Sequence, residues 1–146
     1  MENNHTGKLL HLSDGIIMEL SYGILREATD IYNQCYEYKI VFDKTVEIKE
    51  AGIKVTLLKT GGDLLVNHND DIIIRNRRDG DRFYPEGMEG SKKLKDYFTD
   101  KKIPSNERNK IPLLVINNKI ASVIGYRNDK RFSKSGGECL LVVEKI

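Results

Sequence analysis

Turn-forming residues interrupt this chain so often that few apolar stretches are long enough to make a helix. Ser13-Asp14-Gly15, Gly61-Gly62, the polar cluster at residues 67–71, Asp79-Gly80-Asp81 and Asn117-Asn118 each favour a reversal of the backbone. Between them the apolar residues alternate with polar ones. Val46 and Ile48 flank Glu47, and Ile53, Val55 and Leu57 alternate with Lys54 and Thr56. A period of two is the signature of a half-buried strand. One stretch departs from it, with Leu94, Tyr97 and Phe98 at i, i+3 and i+4. Such spacing places all three on one face of a helix. The expected fold is therefore α+β: a β-rich sandwich or barrel-like domain with one or two short helices, confined mainly to residues 91–110.

In chain order, residues 1–7 are polar and expected to fray. Residues 9–12 form a short apolar run, and residues 16–22 and 24–28 read as strands on either side of a bulge or turn at Gly23. Residues 35–42 hold Tyr36, Tyr38, Ile40, Val41 and Phe42 and read as another strand. Residues 60–71 carry the weakest pattern. Any lobe boundary is placed there, giving a β-rich lobe over 1–71 and a second unit over 72–146, with one continuous domain as the alternative. Ile72-Ile73-Ile74 opens the next strand, in which Arg75 and Arg77 share a face. Ser91 is the expected N-cap of the helix, and Lys92, Lys95 and Lys102 fall together on its polar side. Pro104 suits the first turn of a second helical segment reaching Asn109. Residues 113–116 and 119–124 bracket Asn117-Asn118 as a hairpin, and residues 140–143 close the chain with a strand.

At 146 residues, with 39% hydrophobic and 32% charged side chains, the composition is that of a soluble globular protein. No apolar run approaches the roughly 20 residues of a membrane span, and no signal-peptide pattern opens the sequence. Cys35 and Cys139 make no CxxC, and a cytoplasmic location is expected. His5, His11 and His68 have no metal-type spacing with the cysteines. Nothing resembles a nucleophile elbow. The glycine pairs at 61–62 and 136–137 lack the following helix on which a phosphate-cradling loop depends.

The net charge of +2 hides an asymmetry. Residues 1–74 carry 7 basic and 12 acidic side chains, whereas residues 75–110 carry 11 and 7, and residues 111–146 carry 6 and 3. A field of one sign over one half is what a polyanion-binding surface needs. Charge pairing between the halves is the competing explanation.

The basic segment also carries a pattern. Arg77-Arg78-Asp79-Gly80-Asp81-Arg82-Phe83 is followed by Pro85-Glu86-Gly87-Met88-Glu89-Gly90-Ser91-Lys92-Lys93-Leu94-Lys95, then by Phe98, Asp100, Lys102, Pro104, Arg108 and Pro112. Gly125-Tyr126-Arg127 and Arg131-Phe132 complete it. Over residues 72–132 this resembles the C-terminal domain of the tRNA(Ile)-lysidine synthase family. Residues 1–71 match more loosely, as the β-rich segment before that domain. Asp79 stands where the family usually has proline, and both residues suit a turn.

The resemblance implies an architecture similar to the B3/B4 region of phenylalanyl-tRNA synthetase, and a role in holding the tRNA acceptor stem. It also implies a parent enzyme that uses ATP, with magnesium, and lysine to convert the wobble cytidine of an isoleucine tRNA to lysidine. The catalytic centre of that family lies in an N-terminal ATP-pyrophosphatase domain with a Ser-Gly-Gly-x-Asp-Ser loop, which this chain lacks. No catalytic residue, cofactor site or metal site is therefore expected here. An acceptor stem is A-form duplex, gripped mainly through phosphates and 2′-hydroxyls. The expected contacts are Arg75, Arg77, Arg78, Arg82, Lys92, Lys93 and Lys95, followed by Arg108, Arg127 and Arg131. Two other readings stay open. One is an editing-type hydrolase acting on mischarged tRNA, and the other is a protein-interaction domain that scaffolds a partner or forms a homodimer.

Overall fold

The computed structural model describes residues 8–11, 17–21, 24–27, 35–133 and 138–146. The chain divides into two compact units, Met1–Gln34 and Cys35–Ile146. In the first, β1 (Lys8–His11), β2 (Ile17–Ser21) and β3 (Ile24–Glu27) form an antiparallel sheet in that order. The fraying expected at residues 1–7, the turn at Ser13-Asp14-Gly15 and the bulge at Gly23 lie outside the described residues.

The second unit is built on a five-stranded antiparallel sheet. Its members are β4 (Glu37–Lys39), β7 (Ile72–Arg75), β10 (Leu113–Ile116), β11 (Lys119–Val123) and β12 (Arg127–Asn128), in the order β12-β11-β10-β7-β4. A three-stranded sheet joins β5 (Thr45–Ile48), β6 (Ile53–Leu58) and β13 (Leu140–Lys145), with β6 in the middle. A single 3₁₀ turn over Lys49–Ala51 links β5 to β6. The remaining pair, β8 (Arg82–Phe83) and β9 (Lys92–Lys93), leads into α1 (Leu94–Asp100), and α2 (Ser105–Arg108) follows. The hairpin between β10 and β11 turns on Asn117 (φ 50°) and Asn118 (φ 66°). Both adopt the left-handed conformation that a two-residue turn needs and that asparagine tolerates.

Alternation along the central strands divides the core in two. Ile72, Ile74, Leu114 and Ile116 pack with Ile48, Val55 and Leu57 between the two larger sheets. Leu113 and Val115 point the other way, into a cluster with Phe83, Leu94, Tyr97, Phe98 and Ile103 beneath α1. That is why all four residues of β10 are buried. A bulge in β11 preserves the arrangement. The register skips Ala121 between Leu114↔Ser122 and Val115↔Ile120, so Ile120 and Val123 both reach the helix side while Ala121 and Ile124 face the sheets. The result is the β-rich α+β architecture expected, with α1 lying on one face of the larger sheet.

A lobe boundary at residues 60–71, expected from the weak pattern there, does not form. Strand pairing crosses that point twice: β4 pairs with β7, and β6 with β13. Residues 35–71 thus share the compact unit of residues 72–146. The stretch at 60–71 is irregular, in keeping with its polar pattern, but Leu64 bridges to both Ser133 and Cys139. Gly62 packs so closely on Cys139 that a Cβ would lie 2.3 Å from its carbonyl oxygen. Among the described residues, no helix is long and apolar enough to cross a membrane.

The helix differs from expectation at both ends. Its N-cap is Lys93, without a side-chain cap bond, and Ser91 instead accepts hydrogen bonds from Arg82. Lys92 and Lys93 belong to a strand rather than to the first turn. Lys102 lies past the last turn at φ 59°, so it shares no helix face with Lys95. α2 with its flanking Pro104 and Asn109 forms where the proline predicts it.

Candidate nucleic-acid interface

A tight turn after β7 organises the basic segment, and Asp81 holds it. The Asp81 carboxylate accepts the Arg78 backbone N–H at 2.7 Å, while Asp81 N–H reaches the Arg78 carbonyl at 3.2 Å. Gly80, at φ 84°, supplies the reversal between them. Leu94 N–H donates to the Asp81 carbonyl at 2.9 Å, tying the turn to the start of α1. Arg75 closes the arrangement from below. Nη1 and Nη2 each donate to a separate Asp81 carboxylate oxygen at 2.9 Å, and Nη1 also reaches the Asn76 carbonyl. This residue is only 7% exposed. A guanidinium so committed shapes the turn, and its charge is matched by Asp81 rather than presented at the surface as the sequence reading expects.

The turn and the β9–α1 junction form the two banks of a groove of about 490 Å³. Arg77 and Arg78 line one side, Lys93 and Lys95 the other, with Leu94 and Asn109 completing the lining. Arg77 is half-buried and donates from Nε to Asn109 Oδ1 at 2.8 Å. Burial lowers its pKa, neighbouring Arg108 lowers it further, and Asp79 acts in the opposite direction. Arg78 is exposed and meets Glu37 from the β4 edge. Lys93 and Lys95 are exposed, and their ammonium groups have no ion pair among the described residues. Asp79 and Asp81 also line the groove, but Asp81 is already neutralised by Arg75. With Arg78 paired to Glu37 and Asp81 to Arg75, the lining cations Arg77, Lys93 and Lys95 have no ion pair among the described residues and face the Asp79 carboxylate. Such a concavity focuses positive potential on whatever anion enters it.

The other expected contacts are dispersed. Lys92 pairs with Asp100 at the far end of α1. Arg108 donates to the Ile103 carbonyl at 2.8 Å and lies 6.0 Å over the Phe98 ring. Arg127 donates to the Glu86 carbonyl at 3.0 Å. Arg82 and Arg131 line a second, smaller cavity together with Lys119. Arg131 is held by Asp129, whose bonds to its guanidinium raise the arginine pKa. Asn109 and Lys119 are not expected at either site from the sequence. Lys119 has one available signal, its position beside the Asn117-Asn118 turn; Asn109 has none beyond ending a helical turn.

Residues 72–144 match the family model described as the TilS substrate C-terminal domain. The chain belongs to this family. That domain model begins at β7 and contains both banks of the groove. Among relatives, the tRNA(Ile)-lysidine synthase of Clostridium tetani is 33% identical over 150 residues, covering 90% of this chain and 32% of the relative. The synthase of Caldanaerobacter subterraneus subsp. tengcongensis is 52% identical over 62 residues, which is 42% of this chain and 13% of the relative. The chain thus spans about a third of the length of the relatives that it matches most fully. A solved structure titled a crystal structure of the TILS C-terminal domain aligns with a TM-score of 0.61 at 22% identity. It covers 77% of this chain and 98% of the other, a likeness of fold.

Proposed function

We propose that this chain is the tRNA-gripping C-terminal part of a tRNA(Ile)-lysidine synthase, and that the groove between the 77–81 turn and the β9–α1 junction holds the phosphate backbone of the acceptor stem. The observation that carries this reading is the groove's charge: Arg77, Lys93 and Lys95, none in an ion pair among the described residues, line it with Arg78, which meets Glu37 at its edge, against one carboxylate, Asp79, that Arg75 does not neutralise. Arginine forks hold phosphate oxygens bidentately, and the lysines add point charge on the opposite bank. Asn109 pre-orients the Arg77 guanidinium, which lowers the ordering cost of contact. Adenylation with ATP and magnesium, and attack by lysine on the wobble cytidine, belong in this reading to a separate N-terminal domain. The role of this chain is to fix the far end of the tRNA for that domain.

Titration of the chain against tRNA at several salt concentrations tests the reading. Changing Arg78, Lys93 and Lys95 together to alanine should weaken binding without unfolding the protein, because all three are exposed. Every phosphate no longer neutralised should flatten the log–log salt slope by roughly 0.7–0.9. Exposed Lys39, Lys44 and Lys49, changed together, serve as the control and should leave the slope unchanged. Equal effects from both sets, or binding that ignores salt, would overturn the assignment.

A further inference from the structure

The second basic cavity, of about 280 Å³, differs in kind from the groove. Its charge comes from Arg82 and Lys119, neither of which is paired with a carboxylate among the described residues. Arg82 meets the neutral Ser91 hydroxyl, at 3.1 Å from Nη2 and 3.4 Å from Nε. Beside these cations lies a flat surface. Arg131 stacks its guanidinium 4.3 Å from the centre of the Tyr84 ring, with the Phe132 ring farther off at 5.8 Å. The fork cannot rotate freely, because Nε and Nη2 each bond a different oxygen of Asp129 at 3.0 and 2.9 Å. Asp129 is itself fully buried and also accepts the backbone N–H groups of Tyr84 and Arg131. The Arg131 side chain nevertheless keeps 37% of its surface exposed.

A pre-set guanidinium plane beside two uncompensated cations has the chemistry of a nucleotide site. Bases stack on arginine planes and aromatic rings, and phosphates take the charge. The cations alone would serve a duplex's phosphates, but the exposed plane would not, because the bases of a duplex are already stacked on one another. We propose that this cavity binds an unpaired nucleotide of the RNA, with the base on the Tyr84–Arg131 stack and its phosphate between Arg82 and Lys119. Ser91 and Asn118 also line the cavity and supply neutral hydrogen-bonding groups. The proposal rests on the tRNA-binding reading and extends it from paired to unpaired RNA.

Two RNA stem-loops with the same helix test it, one blunt and one ending in a short single-stranded 3′ tail. The full chain should bind the tailed RNA about tenfold more tightly, the order expected for one stacked base. Lys119→Ala and Arg131→Lys should each erase that advantage while leaving affinity for the blunt RNA unchanged. Arg131→Lys keeps a positive charge beside Asp129 while the plane is lost, and an unchanged thermal melt shows that the fold is retained; should it melt early, Lys119→Ala carries the test. The groove variant with Arg78, Lys93 and Lys95 changed should weaken both RNAs alike. Blunt binding with no benefit from the tail overturns this proposal alone, whereas failure of both RNAs to bind overturns the groove reading with it. Lys119→Ala weakening both RNAs equally would make the cavity a further patch of general charge and reject the nucleotide site. If AMP binds at micromolar concentration and the tail adds nothing, the site is one for free nucleotides and the RNA assignment falls.

Discussion

Arg75 and Asp81 stand six positions apart, yet they form the most enclosed ion pair of the basic segment, with side-chain exposures of 8% and 11%. Removing one partner strands a charge in a site that water scarcely reaches. Arg75→Ala should therefore destabilise the fold by about 3–5 kcal/mol in urea unfolding. Any drop in RNA binding in that variant would report on the turn and not on a missing phosphate grip. Tyr97 makes the opposite case. It is 2% exposed, and its hydroxyl has no hydrogen-bond partner among the described residues. Burial pushes its pKa up, and nearby Arg127 pulls the other way without a bond of good geometry. Tyr97→Phe removes an unsatisfied polar atom while keeping the ring against Phe83, at 5.2 Å between centres and near-perpendicular. The melting temperature should stay the same or rise, and a fall of several degrees would mean that the hydroxyl has a partner after all.

At the scale of elements, the end of α1 shows how a helix can stop without its usual residue. Ile103 N–H bonds the Phe98 carbonyl and Lys102 N–H bonds the Thr99 carbonyl, both at 3.0 Å. This is the paired pattern of a Schellman cap, with Lys102 in the left-handed position normally given to glycine. Ile103 completes it by packing into the cluster that contains Phe98. Lys102→Gly should stabilise the domain by about 1 kcal/mol, measured by chemical denaturation, because a side chain is strained there. The same position shows what the sequence could reveal. The apolar spacing of Leu94, Tyr97 and Phe98 announces the helix, and Pro104 announces the next one. Lys102 looks like another surface cation because its unusual φ leaves no compositional trace. Strand alternation likewise reveals the hairpin and β6, but not the bulge at Ala121, which depends on packing against two layers at once. For the proposed site, clustering of charge in the sequence points to the segment that lines the groove. It cannot separate Arg77, Arg78, Lys93 and Lys95 from Arg75, since that division is made by the Asp81 turn in three dimensions.

For the whole molecule, the family model and the geometry draw different boundaries, and stability decides between them. The family model starts at residue 72, whereas the compact unit starts at Cys35. Cutting at 72 would remove β4 from the edge of the larger sheet and both β5 and β6 from the smaller one. β13 would be left without β6, the strand it pairs with. Tyr36, Ile40, Ile48, Val55, Leu57 and Leu64 would vanish from the inter-sheet core, exposing Ile74, Leu114 and Ile116 on the other side. Two polar ties would go as well: the Tyr36 hydroxyl to the Lys110 carbonyl at 3.0 Å, and Glu37 to Arg78 at the groove. Burial of a single large aliphatic side chain is worth roughly 1.5–3 kcal/mol, and a whole domain has only about 5–15 kcal/mol of net stability. Loss of one whole face of the core exceeds that margin. A fragment of residues 35–146 should therefore give dispersed amide NMR signals and a cooperative melt, while residues 72–146 alone should give neither. The cluster beneath α1 lies almost wholly within residues 72–144, so it provides the opposing possibility. If the shorter fragment melts cooperatively, that second core suffices, and the groove can be studied without residues 35–71.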